Sequence, residues 1–465
     1  MLFSSMTFIY LFLPLVLLAY FPLRTIRAKN TLLLAASMLF YAWGGIGYAA
    51  VMAFVIAASY AGAIAIETTA RPKLALAATI AADLACLFYF KYLNFVVDNA
   101  NSLFGTSAEL AKIALPIGIS FYTFQAMSYV FDVYRGGVKA ERSLARLALY
   151  ISLFPQLVAG PIVKYHDVAD QIGDRASSFG DIAYGAKRFI AGLAKKVLVA
   201  NAMGEIADKV FAQQIGQFGA SSAWLGALAY SMQLFYDFSG YSDMAIGLGR
   251  IFGFRFLENF DHPYVSKSIA EFWRRWHISL SAWFREYLYF PLGGSRAGAW
   301  KTYRNLAVVF LATGIWHGAE WTFVIWGIWH GLFIILERLT GWRDAAKSWP
   351  RRVLQHIYVL LVVMLGWVVF RAPDIAYAYG YIETMFGLSA GREAYSIRYY
   401  LDNAGIIAAA AAFLCSAPLF AKILEVDPAR RIRHALADAW FLLLFALASA
   451  SVASSTYNPF IYFRF

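Results

Sequence analysis

Long apolar runs dominate this sequence. Stretches of about 20 apolar residues, the length that an α-helix needs to cross the hydrocarbon core of a bilayer, recur from Phe8 to Ser451. Hydrophobic residues make up 61% of the 465 residues and charged residues only 15%, which is more apolar surface than one soluble core can bury. We therefore predict an all-α polytopic membrane protein with roughly ten to twelve transmembrane helices.

Glycine and proline mark the places where these helices should break. Gly44-Gly45-Ile46-Gly47 interrupts the apolar residues 31–66. In FPQLVAGPIVKYHD, residues 154–167, two prolines flank Gly160, and proline lacks the backbone N–H that a continuous helix requires. This stretch is therefore predicted to be a short or re-entrant element, within protein or beside water. Further membrane runs are predicted at about 305–338, 353–371, 403–421 and 436–453.

The charge pattern indicates a membrane surface rather than a nucleic acid. The net charge of +12 comes from basic residues scattered among short loops, as expected for cytoplasmic loops beside anionic membrane lipids. Residues 266–304 are strongly basic, with seven Lys or Arg residues against two Glu, interleaved with aromatic residues. We predict that this segment is interfacial and cytoplasmic. The two cysteines, Cys86 and Cys415, indicate neither a disulfide framework nor a Cys-rich metal site.

The segment EFWRRWHISLSAWFREYLYFPLGGSR, residues 271–296, carries a histidine among aromatic residues. If it is one helix up to Pro291, His277 lies in a stripe about 100° wide. The stripe contains Trp273, Trp276, His277, Leu280, Phe284 and Tyr287. A neighbouring polar face contains Arg274, Ser281 and Arg285, which suits lipid headgroups or a phosphorylated substrate. The alternative is an amphipathic helix whose histidine is hydrogen-bonded internally.

The stretch TGIWHGAEWTFVIWGIWHGL, residues 313–332, contains Trp-His-Gly twice. An imidazole in hydrocarbon must find hydrogen-bond partners or line a wet cavity. On one regular helix His317 and His330, 13 residues apart, would point about 140° away from each other and would not easily serve one site. Small and polar residues follow His317, where a cavity or helix break could admit substrate. His330 instead resembles a packing position, through Gly327 and Gly331.

Three further acids lie in apolar sequence: Asp132, Asp237 and Asp243. Such groups usually form pairs or line a path through the membrane. Structural pairing with Arg135, Arg250 or Arg255 is the favoured interpretation. No H-E-x-x-H spacing or Cys/His cluster predicts a metal site.

Three long motifs together resemble the membrane-bound O-acyltransferase family: YDFSGYSDMAIGLGRIFGF, NFDHPYVSKSIAEFWRRWHISLSAWFREYLYFPLGG and TGIWHGAEWTFVIWGIWHGL. Their order and spacing match the bacterial branch, whose members act on alginate, other exopolysaccharides and cell-wall polymers. The opening MLFSSMTFIYLFLPLVLLAY, the loop FPQLVAGPI and the ending NPFIYFRF fit as well. The resemblance therefore covers nearly the whole chain. It implies a single domain over residues 1–465 with a motif core at about 115–371.

The resemblance implies a ring of membrane helices, with re-entrant or interfacial helices, around a central tunnel. It assigns the catalytic histidine at the neck of the tunnel to His317. The second motif position, histidine or asparagine in the family, corresponds to His277. Arg274 and Arg285 are expected at the entrance for the donor, an acetyl thioester such as acetyl-CoA that approaches from the cytoplasm. No bound cofactor and no metal are implied.

Partners and location follow from the same resemblance. In this branch the acetyl group crosses the bacterial inner membrane, often to a periplasmic or membrane-anchored acetyltransferase that completes transfer to polymer hydroxyls. We therefore expect a multi-pass inner-membrane O-acetyltransferase in a polysaccharide synthesis or secretion complex, with alginate or a related exopolysaccharide as the final polymer. The alternatives are acyl transfer to peptidoglycan or teichoic acid, a transporter or flippase, and a non-enzymatic scaffold.

Overall fold

The structure is a computed structural model that describes residues 1–108, 113–158, 160–296, 298–344, 348–389, 392–418, 430–455 and 457–459, without the side chains of residues 430–435. Ala159 of FPQLVAGPI and most of the ending NPFIYFRF lie outside this part. All regular secondary structure in the described residues is helical. The chain divides into two compact units, one formed by Met1–Phe189 with Ser242–Leu257 and the other by Ile190–Tyr241 with Glu258–Phe465.

The first unit contains nine helices among its described residues. They are α1 (Leu13–Tyr20), α2 (Ile26–Ala42), α3 (Ile46–Thr68), α4 (Pro72–Lys91), α5 (Leu93–Phe104), α6 (Ile119–Tyr134), α7 (Leu144–Ser152), α8 (Phe154–Leu157) and α9 (Tyr165–Gly173). A π-helical turn, Phe8–Phe12, precedes α1. Two longer helices, α10 (Phe179–Ala194) and α12 (Ala220–Ile251), contribute residues to both units.

The second unit contains the remaining helices. They are α11 (Asn201–Phe211), α13 (Ile269–Arg275), α14 (Ile278–Phe284), α15 (Ala299–His317), α16 (Trp321–Thr340), α17 (Trp349–Arg371), α18 (Ile375–Met385), α19 (Ile397–Tyr400), α20 (Asn403–Cys415) and α21 (Arg430–Ser454). Two π-helical turns, Lys195–Ala200 and Arg285–Tyr289, continue α10 and α14.

Five helical segments are long and apolar enough to cross a membrane. They are α3, α4, α16, α17 and Leu436–Ser454 of α21. Phe8–Tyr20 and Asn403–Cys415 are shorter apolar helical segments. These helices confirm the predicted all-α polytopic membrane protein. The total of ten to twelve spans, the ring around a tunnel and the organisation as one domain stay predictions.

The predicted breaks occur where glycine and proline placed them. Between α2 and α3 the chain turns at Gly45, whose φ of 145° lies in a region that side-chain-bearing residues avoid. The segment FPQLVAGPI forms only the four-residue α8, with Pro155 in its first turn. All four residues of α8 are buried, as predicted for an irregular element enclosed by protein.

The predicted single helix over residues 271–290 is wrong. It is divided by His277, whose φ of 44° and ψ of 56° are left-handed, so α13 ends at Arg275 and α14 begins at Ile278. A left-handed residue cannot continue a right-handed helix. The burial of the aromatic stripe is nevertheless confirmed, because all six of its members are buried. Their contacts arise from two short helices rather than from one face.

Residues 305–338 form a helical hairpin rather than one continuous run. Helix α15 ends at His317, and α16 begins three residues later at Trp321. The two helices approach closely at Gly314 and Gly327, where a Cβ atom on Gly327 would lie 2.4 Å from the Phe310 carbonyl oxygen. A Cβ atom on Gly331 would lie 2.9 Å from Cβ of Phe310. The predicted packing through Gly327 and Gly331 is confirmed.

Gly327→Ala is expected to lower the melting temperature of the purified protein, because its added methyl group must push the backbone of α15 away from α16. Such overpacking costs about 1–3 kcal/mol. Differential scanning fluorimetry in detergent measures the shift. Gly47→Ala is the control, since a Cβ atom there meets nothing within 4 Å. Equal melting of Gly327→Ala and the wild type would contradict this close approach of the two helices.

All three acids contact basic residues, as predicted, but in the following contacts the basic residue is not one of the three predicted arginines. Asp132 contacts His166 at 2.8 Å, and Asp243 contacts Arg188 at 2.8 Å. Asp237 pairs with Lys196 at 2.7 Å, with both side chains almost fully buried. Arg250, predicted as a partner for one of them, pairs with Asp181 at 2.9 Å. These pairs hold α6 to α9, and α12 to α10 or its π-helical continuation.

Candidate active site

His317 lies at the end of α15 with only 6% of its surface exposed. The centroids of the Trp316, Trp326 and Phe370 rings lie 5.0, 4.9 and 5.3 Å from its imidazole, all near perpendicular. Edge-to-face contacts of this kind favour one ring orientation. Gly318 allows the chain to turn at once, because a Cβ atom there would lie 2.1 Å from the Phe323 ring.

The left-handed turn at His277 is held by Asn259. The Asn259 carbonyl accepts a hydrogen bond from the N–H of Ile278 at 3.0 Å, and its side-chain oxygen accepts one from the N–H of Ser279 at 3.1 Å. These contacts fix both residues that follow His277. They stabilise a conformation that a non-glycine residue otherwise adopts at a cost of about 1–3 kcal/mol.

The same asparagine determines which nitrogen of His277 carries a proton. Asn259 Oδ1, identified by the backbone N–H that donates to it, lies 3.2 Å from His277 Nδ1. Since an amide oxygen only accepts, Nδ1 is the protonated nitrogen and Nε2 carries the lone pair. Burial lowers the pKa of His277 to about 3, so the imidazole is neutral at neutral pH.

Trp316 contacts both His277 and His317. Its ring lies 6.2 Å from the His277 ring and 5.0 Å from the His317 ring. Phe238 of α12 packs against the His277 imidazole, with 4.6 Å between the two ring centroids. Both predicted catalytic histidines are therefore buried among aromatic rings, and both contact Trp316.

The expectation that His317 and His330 point apart, made for one regular helix, does not apply to the structure. It assumed one continuous helix, but the hairpin turns α16 back along α15. Trp326 of α16 contacts both histidines, at 4.9 Å from the His317 ring and 5.1 Å from the His330 ring. The Trp326 indole thus contacts the histidine of each Trp-His-Gly triplet.

A cavity of about 280 Å³, the arginine pocket, lies beside α13, α14 and α15. Its floor is apolar and includes Trp273 and Phe310. Its polar lining comprises Arg274, Ser281, Arg285, Thr313, Arg338 and Arg343, together with the Tyr289 side chain. Within the part of the chain that the structure describes, no hydrogen bond or ion pair engages any of the four guanidinium groups. The predicted polar face of Arg274, Ser281 and Arg285 is thus brought together here.

A second cavity of about 460 Å³, the carboxylate pocket, adjoins the turn after His317. Asp208, Glu320 and Arg371 supply its charges, while Phe323 and Phe370 form part of its apolar lining. Arg371 forms an ion pair with Asp208. The Tyr457 hydroxyl donates to the other oxygen of Asp208 at 2.6 Å. This pocket therefore combines an anchored ion pair with the carboxylate that lies three residues after His317.

Aromatic rings connect the linings of the two pockets. Trp273 lines the arginine pocket and Phe370 lines the carboxylate pocket. The Trp326 ring lies 5.6 Å from Trp273 and 5.0 Å from Phe370. We call Trp273, Trp326, His317 and Phe370 the aromatic wall. His317 is the ionisable member of this wall, and it is not among the residues that line either pocket.

Several site residues were not singled out from the sequence. Arg338 and Arg343 reach the arginine pocket from the end of α16 and the turn after it, and only their basic character was visible in advance. Asn259 and Trp326 act through contacts across the fold, which leave no local pattern. His277 is not among the residues that line the arginine pocket, although Trp273 and Leu280 beside it are.

The described residues contain no group of three or more His, Cys, Asp or Glu side chains placed to hold a metal ion. Cys86 and Cys415 are both free thiols. The arrangement places the His317 imidazole among aromatic rings, beside the turn whose residues line the carboxylate pocket. Such a group can accept a proton from a hydroxyl that enters from one side.

Sequence comparisons give a consistent result. The family model described as "MBOAT, membrane-bound O-acyltransferase family" matches residues 137–375. A protein of Azotobacter vinelandii named "Probable alginate O-acetylase AlgI" is 41% identical, with both chains covered completely. A protein of the same name from Pseudomonas aeruginosa is 45% identical over 83% of this chain and 75% of its own.

A "Peptidoglycan O-acetyltransferase" of Helicobacter pylori is 35% identical over 84% of this chain and 80% of its own. Residues 137–375, which the family model matches, include the hairpin, the aromatic wall, His277 and His317. The predicted resemblance is confirmed: the chain is a multi-pass membrane O-acyltransferase of the membrane-bound O-acyltransferase family.

Proposed function

We propose that this protein transfers an acetyl group from a cytoplasmic thioester to a hydroxyl that enters from the far side of the bacterial inner membrane. The observation that carries the proposal is the position of His317, whose imidazole contacts Phe370 of the carboxylate pocket directly and is linked through Trp326 to Trp273 of the arginine pocket. In this proposal the donor and the acceptor meet beside the His317 imidazole, so neither of them crosses the bilayer.

The proposed reaction needs one base and no redox step. The neutral imidazole of His317 takes the proton of the acceptor hydroxyl as its oxygen attacks the thioester carbonyl carbon. The carbon–sulfur bond then breaks, and the imidazole returns the proton to the departing sulfur. The products are an ester and a free thiol, and His317 is neutral again. The thioester is already activated, so the chain needs to supply only the base, the positioning and an apolar site.

His277 is proposed to act beside this base. Its neutral ring presents the Nε2 lone pair, which can accept a hydrogen bond from an N–H or O–H group of either substrate. Arg274 and Arg285 are proposed to receive the donor, for which acetyl-CoA or a similar acetyl thioester is the expected molecule. Guanidinium groups bind phosphate oxygens bidentately, which suits a phosphate-bearing thioester.

The acceptor side is proposed from the relatives. Two are named as alginate O-acetylases and one as a peptidoglycan O-acetyltransferase. Alginate or a related exopolysaccharide is therefore the proposed final polymer, and a cell-wall polymer is the alternative. A periplasmic or membrane-anchored acetyltransferase, within a polysaccharide synthesis complex, is the proposed partner that completes the transfer.

Deletion of this chain from its native host separates acyl transfer from transport. We expect the polymer to be made and exported in normal amounts but without its O-acetyl groups, measured by NMR of the purified polymer. Re-expression of the wild-type chain should restore the acetyl groups. A deletion strain that exports no polymer would indicate a transporter or flippase, and one with normally acetylated polymer would exclude the proposed function.

The location of the donor side can be tested by cysteine labelling. Ser295, exposed in the basic segment 266–304, is proposed to face the cytoplasm. In a variant with Cys86 and Cys415 replaced by serine, Ser295→Cys should react with a membrane-impermeant maleimide only after the cells are opened. Labelling in intact cells would place the arginine pocket on the outer side and would contradict a cytoplasmic donor.

A further inference from the structure

His330 occupies an unusual place for a polar side chain. It is fully buried in α16, and no described residue forms a hydrogen bond with either of its ring nitrogens. An unpaired imidazole in an apolar site costs stability relative to an apolar side chain of similar size. Helix packing alone therefore does not account for histidine at this position.

The neighbours of His330 are two rings of the aromatic wall and the Trp367 ring, which lies 6.2 Å away. The Trp273 ring lies 5.2 Å away at 88°, and the Trp326 ring lies 5.1 Å away at 70°. These two indoles also contact each other at 5.6 Å. His330 therefore completes a three-ring cluster in which every member touches the other two edge to face. Such contacts are directional and favour particular ring orientations.

This cluster reaches His317 through a single residue. Trp326 contacts the His317 imidazole at 4.9 Å and nearly at right angles. Because His330 and Trp326 are four residues apart on α16, their side chains lie on the same face, one turn apart. The Trp326 ring thus contacts both histidines, and it also packs against Trp273, Trp367 and Phe370.

The backbone beside His330 leaves room for its ring. Gly366 of α17 faces it, and a Cβ atom at Gly366 would lie 2.9 Å from His330 Nε2. An added methyl group would therefore press on the imidazole directly. This glycine offers a way to displace the ring without changing its chemistry.

We infer that His330 is a positioning residue for acetyl transfer: through Trp326 it holds the His317 imidazole in the orientation needed to deprotonate the acceptor. The histidine of the second Trp-His-Gly triplet then positions the histidine of the first. This inference rests on the proposed role of His317. It gives His330 no contact with substrate, and it predicts an effect on turnover rather than on donor binding.

The test uses purified full-length protein in lipid nanodiscs with radiolabelled acetyl-CoA and acceptor-containing membrane extract of the native host. His330→Leu fills the site with an apolar side chain, so its melting temperature should equal or exceed that of the wild type. Its kcat per folded molecule should nevertheless fall by about tenfold or more, since small misplacements of reacting groups are costly, with KM for acetyl-CoA unchanged. Gly366→Ala should lower kcat in the same way.

Gly380→Ala is the matched control, because its Cβ atom would meet the Ile215 side chain at 3.0 Å, away from the wall. It should keep the wild-type kcat per folded molecule. A wild-type kcat in His330→Leu, or a loss fully explained by less folded protein, would overturn the inference. Such a result beside an inactive His317→Gln variant would leave the proposed function intact, whereas an active His317→Gln variant would refute the proposed function itself.

Discussion

Replacing His317 by glutamine is expected to lower acetyl transfer by about 10²–10⁴-fold, the usual contribution of a positioned general base. Glutamine keeps a hydrogen-bonding side chain of similar reach but cannot accept the hydroxyl proton at neutral pH. The measurement is the acetyl content of the polymer, normalised to membrane-inserted protein. Insertion itself should be preserved, because the surrounding rings pack against a side chain of nearly the same length.

His330→Gln is the matched comparison on the other Trp-His-Gly triplet. It should retain partial activity, because a positioning residue that never touches the substrate is only indirectly involved. A dead His330→Gln variant beside an active His317→Gln variant would reverse the two roles. If His317→Gln and His330→Gln were both fully active, the proposed catalysis by a histidine imidazole would be contradicted.

His277→Ala is expected to lower acetyl transfer by about 10²-fold or more. A misplaced or missing group at a reaction centre slows the reaction even when the base remains. Polymer acetyl content per inserted protein is again the measurement. Alanine at a φ of 44° is also strained, so the loss of a side chain must be separated from a loss of folding.

His277→Gly and His277→Asn make that separation. Glycine adopts positive φ freely, so His277→Gly should fold better than His277→Ala and be equally inactive. Asparagine tolerates the left-handed region and keeps a hydrogen-bonding group, so His277→Asn should retain at least about a tenth of the activity. Full activity of His277→Gly would show that the ring has only a structural part in the site.

The helical membrane fold could be predicted because apolar composition and run length act locally. A helix of about 20 apolar residues needs no tertiary information to be recognised. The burial of Trp273, Trp276 and Tyr287 could likewise be predicted, since aromatic residues at helical spacing seek the interior. Gly45 indicated a break because glycine adopts positive φ freely. Pro155 indicated one because proline fixes φ and lacks a backbone N–H.

The break at His277 could not be predicted, because nothing in the residue itself requires positive φ. The conformation is imposed by Asn259, 18 residues earlier in the chain, through its hydrogen bonds to the turn. The turn after His317 had a weak signal in Gly318-Ala319-Glu320. Its consequence, that Trp326 lies between His317 and His330, depends on how α15 and α16 pack.

The arginine pocket shows the same limit. The shared face of Arg274 and Arg285 followed from their spacing, although the helix that carries them is broken. Arg338 and Arg343 join them only because α16 runs back along α15. Convergence of residues from separate elements is a tertiary property, and it is this convergence that forms the two pockets.

Transfer of label across sealed membranes tests the central claim most directly. Inside-out vesicles from the native host, with the wild-type chain or with His317→Gln at equal levels, are supplied externally with radiolabelled acetyl-CoA. The wild-type vesicles should accumulate label in their lumen as alkali-labile O-acetyl esters, and the His317→Gln vesicles should accumulate almost none. Equal luminal O-acetyl label in both would contradict acetyl transfer across the membrane through His317.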